Sequence, residues 1–148
     1  MDYVKDIVKK YNNDRAFIIS ILQDLQEKTG YLKREDMFKL SKILNMPVAD
    51  IYRIATFFKA FSLTPRGKNI IQICLGTACH VRGGDKVLLE FENKLNIQAG
   101  ETTTDGNFTL ETVNCLGACA LGPVVVVNQK YYGNMNTSKV KDILNEYK

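Results

Sequence analysis

Four cysteines in two closely spaced pairs are the residues of this sequence best suited to chemistry. Cys74 and Cys79 are separated by four residues, and Cys115 and Cys119 are separated by three. Each pair stands at the end of a segment that is typical of a β-strand. In a reducing compartment, clustered cysteines are more often metal ligands or redox-active thiols than structural disulfides. The pattern therefore predicts a metal centre held by these four thiolates.

The spacing of the pairs and the single histidine narrow the choice of metal centre. Zinc sites usually place about two residues between paired cysteines, so a structural zinc module fits poorly and stays open as an alternative. A dithiol redox site requires C-x-x-C and haem attachment requires C-x-x-C-H, and the sequence contains neither. His80 is the single histidine, which excludes a Rieske centre with two histidine ligands. The spacings also differ from those of bacterial and plant ferredoxins, which leaves another kind of all-cysteine iron-sulfur cluster.

The elements that must position the cysteines lie in the second part of the chain. β-Branched and alternating segments predict four strands, at residues 68–73, 108–113, 124–127 and 130–132. One helix is expected to begin at Gly83 and Gly84, and an amphipathic pattern predicts a last helix at the C-terminus. The order is strand, helix, strand, strand, strand, helix, and we expect the two helices to cover the sheet. This α/β arrangement places both cysteine loops at strand ends, where such folds carry their sites.

The chain before these strands has the periodicity of a small helical bundle. Apolar residues at helical spacing predict four short helices, with breaks at residues 12–14, at Gly30 and at residues 45–47. The hydrophobic period changes near residue 65, where proline and glycine occur. We therefore predict an N-terminal helical domain over residues 1–65 and an α/β domain over residues 66–148.

The last two predicted helices, within residues 40–58, also resemble a helix-turn-helix. The second of them opens with Val48, Ala49 and Asp50. A DNA backbone would repel the carboxylate of Asp50, so we interpret the pair as a plain helical hairpin. The aromatic residues Phe57, Phe58 and Phe61 are interpreted as core residues that seat these helices on the next domain.

The positive charge of the chain is concentrated in its N-terminal half. Residues 1–67 contain 12 Lys and Arg against 8 Asp and Glu, whereas residues 68–148 contain 8 of each. We interpret this excess as a solvated face or a surface for an acidic partner. The sequence has no apolar run near the roughly 20 residues of a membrane span, and its start does not resemble a secretory signal. We expect a cytoplasmic protein without direct membrane insertion.

Both cysteine segments closely resemble the thioredoxin-like 2Fe-2S ferredoxin family, through CLGTACHVRG at residues 74–83 and CLGAC at residues 115–119. This family supplies the small cluster subunit (NuoE, HydC or HndA type) of respiratory complex I and of NAD(P)-linked hydrogenases and formate dehydrogenases. The resemblance covers nearly the whole chain, since ATFF at residues 55–58 is similar to the family's N-terminal helices. Residues 120–123 read ALGP where members commonly have GLAP, which affects loop detail.

The resemblance implies a thioredoxin-like α/β fold and one 2Fe-2S cluster. It places Cys74 and Cys79 on one iron and Cys115 and Cys119 on the other. Such a cluster carries a charge of about −2 when oxidised and about −3 when reduced, so nearby N–H donors and positive charge favour the reduced form.

Glycines and one arginine around the cysteines are candidates for that supporting environment. Gly76, Gly83 and Gly117 can bring backbone N–H groups close to the sulfurs. Arg82 can add a positive charge, and His80 is expected to lie outside the ligand set, because four thiolates already suffice.

The sequence lacks the residues that bond chemistry would need. It contains no G-x-G-x-x-G after a strand and no general acid-base constellation. We therefore expect a non-catalytic relay for single electrons. The resemblance implies a flavin- and iron-sulfur-containing, NAD(P)H-oxidising partner of the NuoF or HydB type. The assembly would be a soluble hydrogenase, electron-bifurcating or NAD(P)-linked, a formate dehydrogenase, or complex I. The alternative is a redox-sensing DNA-binding regulator; in the relay interpretation no nucleic acid is bound.

Overall fold

The computed structural model describes residues 2–148, which form two compact units. The first unit ends at Pro65, and the second is Arg66–Lys148. That each unit is an independently folding domain stays a prediction. No helix within residues 2–148 is both long enough and apolar enough to span a membrane.

The first unit consists of four α-helices, as the periodicity predicts. They are α1 (Tyr3–Lys10), α2 (Ile18–Thr29), α3 (Arg34–Leu44) and α4 (Val48–Phe57), with a 3-10 turn at Arg15–Phe17 before α2.

The breaks between these helices have the backbone geometry that their residue types favour. The side chain of Asp14 accepts a hydrogen bond from the N–H of Ala16 at 2.8 Å and caps the 3-10 turn. Helix α2 ends at Gly30 and α3 at Asn45, both of them in the left-handed conformation that glycine and asparagine tolerate best. Pro47 precedes α4, where its missing N–H leaves no helical hydrogen bond unmade.

The core of the first unit is built from the apolar faces of its four helices. The fully buried side chains belong to Val4, Val8, Ile21, Leu22, Leu40 and Ile51. The prediction that Phe57 and Phe58 are core residues is wrong, because their side chains are 79% and 37% exposed, whereas Phe61 is buried. Helix α4 buries Ile51 and Ala55. It ends at Phe57, and the chain that follows does not continue this buried face.

A buried carboxylate is bonded within this core. Asp36 lies in the first turn of α3 and is 4% exposed, and its Oδ2 accepts a hydrogen bond from the hydroxyl of Tyr3 on α1. Burial and this bond to Asp36 raise the pKa of Tyr3 to about 12. The bond therefore links α1 to α3.

Replacing Tyr3 with phenylalanine is expected to lower the free energy of unfolding by about 1 kcal/mol near neutral pH, since the Asp36 carboxylate loses a donor. The pKa of Tyr3 is raised in the folded state, so the stabilisation is complete below about pH 10 and is lost as the pH rises towards about 12. Urea unfolding of both proteins, followed by circular dichroism, should show a stability difference that is constant from about pH 8 to about pH 10 and shrinks from there to about pH 11. A difference that stays constant over this range would contradict the assignment.

The second unit is an α/β structure with the predicted order of strands and main helices, and with one further helix. Its elements are β1 (Asn69–Cys74), α5 (Thr77–Val81), α6 (Gly84–Leu95), β2 (Phe108–Val113), β3 (Val125–Val127), β4 (Lys130–Tyr132) and α7 (Thr137–Glu146). The first cysteine segment is predicted as a loop, but α5 forms a short helix within it. A 3-10 turn occupies Cys119–Leu121 in the second segment.

The sheet has the order β2-β1-β3-β4, with β1 and β2 parallel and the other pairs antiparallel. Alternate residues of β1, Ile71 and Ile73, join one apolar cluster with Phe91 of α6 and Val140 of α7. Both helices therefore pack in the cluster on the same face of the sheet. On the other face, Gln72 lies opposite Glu111, which pairs with Arg66 at 3.1 Å.

The parallel pairing of β1 and β2 brings the cysteine segments together. Cys74, the last residue of β1, pairs in register with Val113, the last residue of β2. The carboxyl ends of parallel neighbours lie at the same edge of a sheet. Cys115 follows β2 by two residues, so the second segment starts beside the first.

Candidate metal centre

The four cysteines lie at this edge of the sheet in two different environments. Cys74 ends β1 and Cys79 lies in α5, and each is about 2% exposed. Cys115 and Cys119 are exposed, and Cys119 begins the 3-10 turn. All four are free thiols rather than disulfides.

The four thiols form two neighbouring pairs, and the thiol of Cys119 also interacts with the other pair. The side chains of Cys74 and Cys79 are hydrogen-bonded, and so are those of Cys115 and Cys119. The Cys119 thiol also interacts electrostatically with Cys74 and Cys79. The fold therefore places the four cysteines predicted from the sequence in two neighbouring pairs.

Backbone N–H groups point at the sulfurs from both segments. Gly117 donates to Sγ of Cys115 at 3.3 Å. The Cys74 sulfur accepts from Gly76 in its own segment and from Leu116 in the other. Such donors stabilise negative charge on sulfur, which is the charge that a thiolate ligand carries.

The acidity of the thiols follows from burial and from these bonds. Burial acts to raise the pKa of the Cys74 thiol, but bonds from Gly76, Cys79 and Leu116 together hold it below its ordinary value. Burial, together with its neighbour Cys74, raises the pKa of Cys79. The adjacent Cys115 raises the pKa of Cys119. Cys74 is thus the buried thiol most disposed to ionise.

The remaining predicted residues contact the cysteine segments in different ways. Gly83 has φ +96°, precedes α6 and donates its N–H to the carbonyl of His80 at 3.0 Å rather than to a sulfur. Nη1 of Arg82 donates to the main-chain oxygen of Cys119 at 3.1 Å. The side chain of His80 is exposed.

Several residues that support the sulfurs are not among those predicted from the sequence. The N–H groups of Leu116 and Val124 donate to the sulfurs of Cys74 and Cys79. A Cβ atom at Gly122 would lie 3.1 Å from Sγ of Cys79, so this glycine leaves room beside the sulfur. Leu116 and Val124 make these contacts with main-chain atoms, so their residue types could not have predicted them. Gly122 belongs to the ALGP segment, whose sequence could have indicated it.

The arrangement of donors fits a two-iron cluster. Within residues 2–148, no group of three or more His, Cys, Asp or Glu side chains is placed to hold a metal ion. The thiols form two neighbouring pairs instead, and a 2Fe-2S cluster takes four thiolates, two at each iron. Free thiols, adjacent N–H donors and a glycine beside a sulfur suit such a group.

Two relatives match this chain over nearly its whole length. The HndA subunit of the NADP-reducing hydrogenase from Solidesulfovibrio fructosivorans is 37% identical over 144 residues, which cover 97% of this chain and 84% of that protein. The E subunit of NADH-quinone oxidoreductase from Rickettsia typhi is 37% identical over 150 residues, which cover 99% of this chain and 88% of that protein.

A solved structure has a similar fold. A chain of an NAD+-reducing [NiFe]-hydrogenase in the air-oxidized state superposes with a TM-score of 0.77 at 18% identity. The match covers 88% of this chain but 22% of that hydrogenase chain. At this identity the similarity concerns the fold.

A family model described as thioredoxin-like [2Fe-2S] ferredoxin matches residues 4–148. The match confirms the thioredoxin-like fold and one 2Fe-2S cluster as the cofactor, while the individual ligand assignments stay predictions. The chain belongs to the thioredoxin-like [2Fe-2S] ferredoxin family.

Proposed function

We propose that this chain is an electron-transfer subunit of a multi-subunit NAD(P)H-linked oxidoreductase, with Cys74, Cys79, Cys115 and Cys119 holding its 2Fe-2S cluster. The observation that carries the proposal is the meeting of two free thiol pairs at one sheet edge among backbone N–H donors. The hydrogenase and NADH-quinone oxidoreductase subunits that the chain resembles support its membership of such an assembly.

The chain's own residues provide a site for one-electron chemistry, which the cluster supplies when bound. Cys74 and Cys79 are buried and keep water from one side of the site, while Cys115 and Cys119 lie at the surface. Donors such as the N–H of Gly117 offset the negative charge that increases on reduction. The residues around the sulfurs therefore bind and tune the redox group and transfer no atoms themselves.

The partner in this proposal is a flavin- and iron-sulfur-containing subunit that oxidises NAD(P)H in the cytoplasm. The exposed pair, Cys115 and Cys119, gives such a partner a direct approach to the site. Hydrogenase, formate dehydrogenase and complex I assemblies all remain within the proposal.

Anaerobic purification of the chain with its native partners tests both parts of this proposal. We expect two irons and two acid-labile sulfides per chain, together with an electron paramagnetic resonance (EPR) signal that appears on reduction. A flavoprotein should co-purify with the chain. One zinc ion per chain without iron would overturn the cluster assignment, and iron without a flavoprotein partner would overturn the assembly.

The same preparation separates the relay from a DNA-binding regulator. Helix α4 carries Asp50 in its first turn, where it pairs with Arg53 at 3.2 Å, and this carboxylate is poorly suited to a DNA backbone. We therefore expect no retardation of duplex DNA at low salt; salt-sensitive retardation would favour the regulator instead.

A further inference from the structure

One side chain connects the two cysteine segments directly. Arg82 follows α5 in the first segment, and its guanidinium Nη1 donates to the main-chain oxygen of Cys119 in the second segment at 3.1 Å. The same oxygen accepts the N–H of Gly122 at 3.1 Å. Two donors therefore fix the orientation of the carbonyl of Cys119, the residue that carries one of the exposed thiols.

A second link runs in the opposite direction. The N–H of Leu116, in the second segment, donates to the sulfur of Cys74 in the first. The two segments are thus joined at both pairs, once at Cys74 and once at Cys119. Arg82 provides the link on the exposed side, where Cys115 and Cys119 have less surrounding protein to hold them.

The charge of Arg82 is not neutralised by a carboxylate contact. Within residues 2–148, Arg82 forms no ion pair shorter than 4.0 Å. The other ionisable groups lining the cavity beside it are His80, Asp85 and Lys86. A guanidinium stays protonated at all ordinary pH values, so its charge acts on the site continuously.

We infer that Arg82 is a positioning residue that holds the Cys119 segment in place and favours the reduced form of the cluster. The inference rests on the proposed function, because it requires a cluster on these thiolates. Reduction adds one negative charge, and a fixed positive charge nearby stabilises the more negative state. A hydrogen bond from a charged donor is also stronger than one from a neutral donor.

Potentiometric titration of the complete chain, monitored by EPR, tests this inference. In Arg82→Met, which keeps an apolar stem and removes the charge, the ratio of reduced to oxidised cluster at a fixed potential should fall about tenfold, a midpoint about 59 mV lower. Arg82→Lys keeps the charge and should retain a midpoint near that of the wild type. Lys86→Met is the matched control, since Lys86 is an exposed cation that lines the same cavity, and it should shift the ratio much less.

Iron and sulfide contents, measured on the same samples, decide between the outcomes. A fully loaded Arg82→Met protein with an unchanged midpoint would overturn the inference, and so would an equal shift in Lys86→Met. If Arg82→Met loses the cluster, retention with a near-wild-type midpoint in Arg82→Lys supports the role of the charge, and equal loss in Arg82→Lys overturns it. A wild-type chain that binds no iron would overturn the proposed function as well, which distinguishes the two failures.

Discussion

Cys74→Ala is expected to abolish the cluster while the helices of the first unit stay folded. Cys74 is buried at the end of β1, and its sulfur accepts bonds from both cysteine segments, so alanine at this position removes one of the four thiolates that the proposed cluster needs. Iron and acid-labile sulfide should fall to background, and the EPR signal of the reduced protein should disappear. Far-UV circular dichroism should retain the helical signal, because α1 to α4 belong to the other compact unit.

Two further variants make this result specific. Cys119→Ala should also lose the cluster, although its thiol is exposed, because each iron needs both of its thiolates. Val81→Ala is the control, since this side chain lies in the same short helix as Cys79 but is 79% exposed. Full cluster occupancy in either cysteine variant would refute the assignment of that residue as a ligand.

Gly76→Ala is expected to lower the free energy of unfolding by about 3 kcal/mol and to impair cluster binding, because the added methyl group overlaps a main-chain oxygen. Its Cβ would overlap the carbonyl oxygen of Asn114 and would lie 3.5 Å from Sγ of Cys74. Gly76 itself has φ −57°, which any residue can adopt, so the cost arises from space alone. Chemical denaturation and iron content measure the two effects.

A second glycine provides a control in which the loss of stability has a different cause. Gly106 has φ +69° and open space around its missing Cβ, so Gly106→Ala should cost about 1 to 2 kcal/mol through backbone strain. Its cluster content should remain complete. Equal stability losses in the two variants, or full cluster occupancy in Gly76→Ala, would contradict the role of Gly76 as the close contact between the cysteine segments.

Local signals in the sequence predicted most of the secondary structure. Helix ends at Gly30 and Asn45 could be predicted because their left-handed backbone favours these residue types. The strands could be predicted because β-branched runs and alternation have the period of a sheet. The segment around Cys79 was the exception: α5 is five residues long, too short for helical periodicity to be visible in the sequence.

Long-range packing could not be predicted in the same way. An aromatic run favours a core, yet Phe57 is exposed, since the end of α4 and the path of the chain after it decide which face is buried. The expectation that two helices cover the sheet left open which face they take. In the structure both pack on the face that carries Ile71 and Ile73, and the other face carries Gln72 and Glu111 together with the buried Val126.

By itself, the sequence determined the chemistry of the site, because residue type and spacing settle which donors are available: four cysteines in two pairs and one histidine. Only the tertiary structure decided how these donors are held. Parallel pairing of β1 with β2 brings the two segments to one edge, so that Leu116 reaches the sulfur of Cys74 and Arg82 reaches the carbonyl of Cys119. These contacts use main-chain atoms far apart in the chain, and a linear pattern carries no information about which of them will meet.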